Sequence, residues 1–300
     1  MRQKTPRSVI PYIGGKHQLV RHLVPLIEYT ATLSCTDLYE LCGGGGRIVL
    51  NTPPHLFSRR TYNDIDTGVC NLFAMLGIKE QTYNLMAFLE PLRASEELFL
   101  WAREQRKLEE EALLRGTPSP VTMLESAAAT FIAAMWSRAA DMVNYDQTRE
   151  QPRRAEAFQR RVAQLPTYYD VLADIQVTSG NMFLWLEQLQ FQSNAICYID
   201  PPYVEEAMIY SGHYGIRSWG RTEHQKLVNA LLRTKAKVVL SGYDNDLYTP
   251  LTDNGWSKLL LSEKFISSSA TVGRRAREYV WVNYKVPESL ERLISESFYS

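Results

Sequence analysis

Apolar and polar positions divide the chain into two outer parts that alternate helix with strand and a middle part with helical periodicity throughout. Helices are predicted over 18–29, 69–76 and 223–234, the last with Thr222 as its N-cap. The predicted strands are 36–41, 61–65, 174–179, 194–199 and 236–241. The segments 256–261 and 278–285 predict a closing antiparallel pair.

The middle part, from about residue 80 to residue 166, has no convincing strand pattern. Helices are predicted over 85–114, 121–143 and 155–165, with breaks at glycine and proline residues. We therefore predict a catalytic domain formed by 1–79 and 167–300, interrupted by a helical insertion over 80–166.

Strands that alternate with helices predict an α/β fold, with a mostly parallel sheet covered by helices on both faces. Ligands of such sheets bind at the carboxyl ends of the strands. Three segments lie at the ends of predicted strands: the glycine cluster Gly43–Gly46, the acidic segment Asn63–Asp66 and the segment Asp200–Tyr203. We expect these three segments to converge in space.

Charge and cysteine content limit the classes of function. The chain has 33 Lys and Arg residues and 33 Asp and Glu residues, which argues against non-specific coating of nucleic acid but allows a local basic face. No apolar run approaches the roughly 18 residues of a membrane helix, and the N-terminus has no signal-peptide pattern. The four cysteines form no C-x-x-C pair and no zinc-like cluster with histidine. A cytoplasmic protein with reduced thiols, no membrane partner and no metal ion is expected.

The glycine cluster and the acidic strand end suit a nucleotide-like ligand. Glycines after a strand let the backbone approach a ligand because no Cβ intrudes, although a simple turn is the alternative interpretation. A carboxylate at Asp64 can accept both hydroxyls of a ribose. Since the glycines do not follow the G-x-G-x-x-G pattern, a dinucleotide is not the best ligand.

The segment Asp200-Pro201-Pro202-Tyr203 follows a predicted buried strand. Two prolines remove two backbone donors and fix both φ angles, so the Asp200 carboxylate and the nearby carbonyls form a rigid set of acceptors. Such a set suits a planar amino group, which offers two N–H donors. The Tyr203 ring can stack on a nucleobase, which is worth roughly 1–3 kcal/mol. The alternative is a turn that ends the strand; the context favours function.

Ordered motifs along most of the chain resemble the Dam-type, or D12-class, DNA adenine-N6 methyltransferases. Tyr12–Lys16 resembles the aromatic-x-G-G-K motif, Glu40–Gly46 the E-P-F-x-G-x-G loop and Asn63–Asp66 the N-D-x-N motif, while Asp200–Tyr203 is the family's D-P-P-Y unchanged. Three later segments resemble the family's post-catalytic helix, its following strand end and its R-x-x-E segment: Glu223–Leu227, Ser241–Asp244 and Arg274–Glu278. The resemblance implies a Rossmann-like, S-adenosylmethionine-dependent methyltransferase sheet with an inserted helical target-recognition domain.

The resemblance also implies roles for individual residues. Asp200, Pro201, Pro202 and Tyr203 would be catalytic, and Tyr203 would stack on an adenine that is flipped out of the duplex. The residues implied in binding S-adenosylmethionine are Tyr12, Gly14, Gly15, Lys16, Glu40, Cys42, Gly44, Gly46, Asp64, Ile65, Asn181, Met182 and Asp200. This sequence differs from the family's usual motifs at three positions. Leu41 and Cys42 replace Pro and Phe, and Asn181 replaces an Asp that contacts the cofactor's adenine ring.

Double-stranded DNA is the implied partner, and whether a cognate restriction endonuclease exists is left open. Arg138 lies in the region that carries target recognition in the family; a core Trp136 with surface partners is the equal alternative. A predicted loop carries Arg274, Arg275 and Arg277, which suit phosphate contacts, or else simply face solvent. Residues 139–145 stand where the family carries a Y-N-G hairpin, and they lack that motif. A GATC specificity is therefore not carried over.

The site residues are also compatible with two other functions. The same site could methylate another planar amino group, on RNA adenine, on cytosine N4 or on a protein glutamine. A DNA-binding module with impaired catalysis is the third hypothesis, and the intact D-P-P-Y argues against it. His17 and His22 have no metal-like partner in the sequence, and His224 is predicted to lie on the surface of its helix.

Overall fold

The computed structural model describes residues 8–12, 19–202, 219–268 and 271–296. Side chains are described in these ranges except at 264–268, 271–276 and 295–296. The predicted site residues Gly14, Gly15, Lys16 and Tyr203 therefore lie outside the described residues.

Seven strands form one sheet in the described part of the chain, in the order β3-β2-β1-β4-β5-β7-β6. The strands are β1 Asp37–Glu40, β2 Arg59–Asp64, β3 Ile175–Ser179, β4 Ala195–Ile199, β5 Lys237–Tyr243, β6 Ser257–Ser268 and β7 Thr271–Val282. β1, β4 and β5 pair in parallel, whereas β7 is antiparallel to both β5 and β6. The predicted α/β class and the closing antiparallel pair are confirmed.

Helices occupy the stretches in which apolar periodicity predicts them, with different ends and with the stretch 85–114 divided in two. In chain order the helices are α1 Val20–Ala31, α2 Thr67–Leu76, α3 Lys79–Leu89, α4 Glu96–Arg115, α5 Met123–Trp136, α6 Pro152–Ala163, α7 Tyr169–Leu172, α8 Met182–Leu189, α9 Arg221–Leu231, α10 Thr249–Asp253 and α11 Glu288–Glu296. Four of these, α7, α8, α10 and α11, lie where none is predicted. Among the described residues, no helix combines the length and the apolar character that crossing a bilayer requires.

The chain forms two compact units. Unit 1 comprises Met1–Gly15, Gly44–Leu50 and Tyr62–Gly180, and unit 2 comprises Lys16–Gly43, Asn51–Thr61 and Asn181–Ser300. The helices of the predicted insertion belong to unit 1, where α5 packs against α2 and α4. The boundaries of the insertion stay a prediction.

The single helix predicted over 85–114 is wrong, because the structure divides this stretch into α3 and α4. Pro91 has no backbone N–H to continue a helix. A new helix begins at Glu96 because the Ser95 side chain accepts a hydrogen bond from the Leu98 N–H at 3.3 Å, which satisfies an N-terminal donor. Sequence periodicity alone passes over such a break when apolar residues resume in phase.

The helix α5 forms the centre of unit 1. Its alanine-rich sequence is buried on nearly every side, from Ser126 to Ala134. The helix starts with a capping box, in which Thr122 and Glu125 each bond the other's backbone N–H. It ends at Trp136, which is earlier than the predicted residue 143.

The N-terminus of α9 differs from its prediction. Gly220 is the N-cap, not Thr222, and its backbone N–H donates to the Glu223 carboxylate at 3.0 Å. Glu223 thus supplies the cap that a threonine side chain was expected to supply. The apolar side of α9 packs into the core of unit 2 through Leu227, Val228 and Leu231.

A buried ion pair joins α2, α4 and α5 in unit 1. The Arg106 guanidinium donates to the Asp66 carboxylate and to the Thr130 hydroxyl, at 2.8 and 2.7 Å. Asp66 is also the N-cap of α2, since its side chain accepts from the Val69 N–H. Removal of one partner of a buried pair leaves the other charge in a medium that solvates it poorly.

We therefore expect Arg106→Met to lower the free energy of unfolding by about 3–5 kcal/mol. Urea unfolding followed by circular dichroism measures the change. Arg115→Met is the control, because the Arg115–Glu111 pair is solvent-exposed and such pairs contribute about 0–1 kcal/mol. Equal losses in the two variants would contradict the structural role of the buried pair.

Candidate active site

The strand order reverses between β1 and β4, which are parallel neighbours although far apart in sequence. Glu40 is in register with Tyr198, and the Leu41 N–H donates to the Tyr198 carbonyl at 3.0 Å. The segments that leave these two strands, 41–43 and 200–202, therefore start at the same edge of the sheet. Such a switch point is where open α/β sheets bind their ligands.

The Asp200 carboxylate is held by a side chain of the neighbouring strand. Ser241, on β5, donates from its hydroxyl to Asp200 Oδ1 at 3.0 Å. Ser241 also lies 3.0 Å from the Tyr198 hydroxyl, and both Ser241 and Tyr198 are buried. The carboxylate is thus fixed from a strand, which is more rigid than a loop.

His224 lies close to Pro202, and the prediction that it is a surface residue is wrong. It is 1% exposed, and its Nδ1 is 2.8 Å from the Tyr248 hydroxyl. Burial lowers the pKa of His224 to about 4, and the Pro202 carbonyl opposes this shift. The imidazole is therefore neutral near pH 7. Polar neighbours in the sequence hid this residue, which points inward from the same side of α9 as Leu227 and Val228.

Tyr248 belongs to the same group of side chains. Burial raises the pKa of its phenol, and the charges of Asp200 and Cys42 raise it further. The Cys42 Sγ lies 3.1 Å from the Met182 Sδ, so the segment after β1 contacts the start of α8. Asn181 caps α8 by accepting from the Phe183 N–H at 3.0 Å. Unit 2 therefore gathers Cys42, Met182 and Asp200 with His224, which is predicted at the surface, and Tyr248, which the sequence does not single out.

Aromatic rings continue this group. Phe183 stacks on Trp219 with ring centroids 5.5 Å apart and planes 15° apart. Trp219 in turn packs edge-on against His224, at 5.4 Å. Offset or edge-on aromatic pairs stabilise a fold beyond the area they bury. Trp219 and Tyr248 therefore both pack against the His224 ring and contribute to its burial.

A second group of predicted residues lies in unit 1, around Asp64. The Asp64 carboxylate accepts hydrogen bonds from the Gly44 N–H and from the Asp66 N–H, both at 2.8 Å. Tyr62 donates from its hydroxyl to the Gly44 carbonyl at 2.7 Å. Two backbone donors stabilise the ionised carboxylate and fix its orientation. Ile65 is half-buried between the two acidic residues.

The glycines at 44 and 46 are required by their surroundings. Both have positive φ angles, 47° and 62°. A Cβ at Gly44 would lie 2.8 Å from the Tyr12 ring, and a Cβ at Gly46 would lie 2.4 Å from the Phe73 ring. The loop therefore packs directly on Tyr12, as only glycine allows.

Asn63 has a role that the sequence did not indicate. Its side chain donates to the Gly180 carbonyl at 3.0 Å and accepts from the Thr178 hydroxyl at 3.0 Å. The Gly180 N–H donates back to the Asp64 carbonyl at 2.9 Å. Asn63 thus ties the end of β2 to the end of β3 and so holds Asp64 in place.

Residues 12–272 match the family described as D12 class N6 adenine-specific DNA methyltransferase. The chain belongs to this family. The protein is therefore an adenine-specific DNA methyltransferase. A search of curated proteins found no match to the sequence.

The three arginines that are predicted to contact DNA from a loop lie on strand β7 instead. Arg274 and Arg275 belong to β7, where their backbones pair with Ile266 and Phe265 of β6, so the prediction of a loop is wrong. Alternation of apolar residues is weak in this stretch, which is why the strand was missed. Arg277, also on β7, donates to the Glu263 carboxylate at 2.8 Å.

Arg138 is exposed and begins a short hairpin in unit 1. Ser137 and Tyr145 form an isolated antiparallel bridge, and the Arg138 N–H donates to the Asn144 carbonyl at 2.8 Å. Three non-glycine residues in the hairpin have positive φ angles: Ala139, Ala140 and Met142. Trp136 is buried, and the Tyr145 hydroxyl donates to Glu150 at 2.8 Å. Backbone strain of this kind clusters at ligand-binding segments.

Within the described ranges, no group of three or more histidine, cysteine, aspartate or glutamate side chains is arranged to hold a metal ion. Cys197 is fully buried in the core of unit 2.

The low pKa of His224 predicts a pH dependence of stability. The unfolded chain binds a proton near pH 6.5 and the folded protein only near pH 4, so protonation favours unfolding between these values. The stability that the neutral imidazole contributes is present above pH 6.5 and is lost as the pH falls towards 4. We expect His224→Gln to reduce the slope of unfolding free energy against pH in this window.

Chemical denaturation at a series of pH values measures that slope. His55→Gln is the matched control, because His55 is exposed, and it should keep the wild-type slope. Parallel curves for wild type and His224→Gln would show that His224 is not held neutral by burial.

Proposed function

We propose that the protein transfers a methyl group from S-adenosylmethionine to N6 of an adenine that is flipped out of double-stranded DNA at a specific site. The observation that carries this proposal is the oriented Asp200 carboxylate at the carboxyl end of β4, beside the segment that follows β1. The two prolines that follow fix the backbone there, so the acceptors keep one arrangement.

The residues around Asp64 fit the cofactor. An ionised carboxylate held by two backbone N–H groups suits the hydroxyls of a ribose, and the loop over Tyr12 offers backbone without Cβ atoms. Tyr12, Gly44, Gly46, Asp64 and Ile65 of unit 1 would hold S-adenosylmethionine. Glu40, Cys42, Asn181, Met182 and Asp200 of unit 2 are proposed for the same cofactor. When bound, it supplies a methyl group activated on a sulfonium.

Asp200 is proposed to act as a hydrogen-bond acceptor for the substrate amino group. The lone pair of adenine N6 is delocalised into the ring, which makes the nitrogen a poor nucleophile. Hydrogen bonds from N6 to the Asp200 carboxylate and to the Pro201 carbonyl stabilise the positive charge that develops on nitrogen during transfer. Pre-organised acceptors need no rearrangement at that moment, which lowers the barrier.

Tyr203 follows directly in the sequence and is proposed to stack on the flipped adenine. An adenine in the duplex is out of reach of any active site, so extrusion must precede the reaction and costs a few kcal/mol. Stacking on an aromatic ring offsets part of that cost, at roughly 1–3 kcal/mol per base.

The hairpin that begins at Arg138 is proposed to contact DNA, as part of a target-recognition function of 80–166. An exposed arginine on a strained hairpin supports this role, because strain persists where a segment is held for binding. Arg274 and Arg275 of β7 are proposed to contact phosphates. Arg277 is a weaker candidate, since its guanidinium already pairs with Glu263.

Two aspartate substitutions test the proposed division of labour. Asp200→Ala should abolish methylation of DNA yet leave the Kd for S-adenosylmethionine within a few-fold of wild type. Asp64→Ala should weaken cofactor binding by at least tenfold. Calorimetry measures binding, and transfer of a tritiated methyl group to DNA measures activity.

Asp170→Ala is the control, because Asp170 is exposed on α7 and should leave both quantities unchanged. Near wild-type methylation by Asp200→Ala would refute the assignment of Asp200. Failure of the wild-type protein to bind the cofactor would favour a DNA-binding module with impaired catalysis.

The phosphate contacts are tested by salt dependence. Each lost phosphate contact reduces the slope of log affinity against log salt by about 0.9. Arg274→Ala with Arg275→Ala should therefore flatten the slope by up to about 2. The charge-matched control is Arg233→Ala with Lys235→Ala, two exposed residues after α9. An unchanged slope in the first double variant removes β7 from the DNA interface.

A further inference from the structure

Three oxygen-bearing side chains form a line that ends at the proposed catalytic carboxylate. The Tyr198 hydroxyl lies 3.0 Å from Ser241 Oγ, and Ser241 Oγ lies 3.0 Å from Asp200 Oδ1. Ser241 is 0% exposed and Tyr198 is 2% exposed. The line runs through the protein interior, where a hydrogen bond is electrostatically stronger than in water.

Counting protons fixes the direction of this line. An ionised carboxylate only accepts hydrogen bonds, so Ser241 must donate its single hydroxyl proton to Asp200. The Ser241 oxygen then has only lone pairs to offer to Tyr198. The Tyr198 hydroxyl is therefore the donor of the other bond, and the line runs from Tyr198 to Ser241 to Asp200.

We propose that Ser241 is a positioning residue for methyl transfer: it fixes the Asp200 carboxylate and keeps it ionised, and Tyr198 orients the Ser241 hydroxyl. This inference rests on the proposed role of Asp200. It assigns a function to Ser241, the first residue of the segment Ser241–Asp244, whose role the D-P-P-Y chemistry left open.

The placement of Tyr198 and Ser241 on adjacent strands, with Asp200 directly after the first of them, supports this role. Tyr198 pairs with Val239, and Ile199 with Leu240, in the parallel register of β4 and β5. Continuation of that register brings Asp200 beside Ser241. Side chains on adjacent strands keep their separation more tightly than side chains on loops, which is what an acceptor for a reacting atom needs.

The direction of the line also bears on the chemistry of Asp200. Hydrogen bonds donated to the charged form stabilise that form against protonation. A carboxylate held in this way is a good acceptor for a developing positive charge and a weak base. The line therefore favours orientation and charge stabilisation by Asp200 over abstraction of the N6 proton.

Other titratable groups face Asp200 from the elements packed around it. Tyr248 lies in a short 3-10 helix that follows β5, Cys42 follows β1, and His224 of α9 lies close to Pro202. Burial raises the pKa of Tyr248, so its phenol stays neutral in the acidic range. The pKa of His224, at about 4, lies in the range where a carboxylate titrates. The pH profile is therefore recorded with and without His224→Gln.

The test uses the full-length protein and single-turnover methyl transfer to DNA at saturating S-adenosylmethionine, from pH 4.5 to 8.5. Ser241→Ala removes the donor, and Ser241→Cys replaces it with a weak donor of similar volume. We expect the transfer rate at pH 7.5 to fall about tenfold in both, with the acid limb of the profile moved to higher pH. Tyr198→Phe should change the rate in the same direction but only two- to threefold.

Binding of DNA and of S-adenosylmethionine should stay within twofold of wild type in these variants, because neither Ser241 nor Tyr198 is proposed to contact either ligand. The control is Thr30→Val, which removes another fully buried hydroxyl of unit 2, one that bonds the Ile27 carbonyl. It should lower stability without a change in rate or pH profile.

Each outcome separates the inference from the proposed function. Loss of activity in Asp200→Ala, with wild-type rates in Ser241→Ala and Ser241→Cys, overturns the role of Ser241 and leaves that of Asp200 intact. A reduced rate with an unmoved acid limb overturns it as well, since that result fits a packing defect. Activity in Asp200→Ala overturns the proposed function itself. If Ser241→Ala does not fold, Ser241→Cys and Tyr198→Phe decide the question.

Discussion

The parallel pairing of β1 with β4 is the constraint on which the proposed chemistry of this methyltransferase depends. The hydrogen bond from the Leu41 N–H to the Tyr198 carbonyl, and the register that leads to it, make 41–43 and 200–202 leave the sheet at one edge. The next pairing, of β4 with β5, brings Ser241 to the Asp200 carboxylate. The hydrogen-bonded pairing of the strands therefore sets the positions of Asp200, Ser241 and the segment 41–43.

Burial adds a second layer of control, because it sets the charge state of each group near Asp200. His224 is neutral near pH 7 and Tyr248 resists ionisation, so the two side chains form an uncharged hydrogen-bonded pair. In unit 1, by contrast, Asp64 is stabilised as an anion, because its carboxylate accepts hydrogen bonds from two backbone N–H groups. Uncharged side chains near Asp200 suit the proposed amino substrate. The stabilised carboxylate of Asp64 suits the proposed cofactor ribose.

The sequence predicted the features whose signal is local. Strand ends followed by glycines, by Asn63-Asp64 or by Asp200-Pro201-Pro202 are read directly from neighbouring residues, and the family's motifs confirmed the class of enzyme. Features that depend on distant partners were missed. His224 is buried by Trp219 and Tyr248, and Arg274 is in a strand because β6 pairs with it. No local pattern reveals such partners, and the bond from Ser241 to Asp200 belongs to the same category.

The most direct test of the account is to identify the methylated product. The wild-type protein is incubated with a DNA library and S-adenosylmethionine that carries a tritiated methyl group, and the DNA is then digested to nucleosides and, in parallel, sequenced by a methylation-sensitive method. The account predicts that the label elutes with N6-methyldeoxyadenosine and that the modified adenines share one short sequence. Label in N4-methyldeoxycytidine, label in added RNA or protein with none in DNA, or no transfer despite cofactor binding would contradict it.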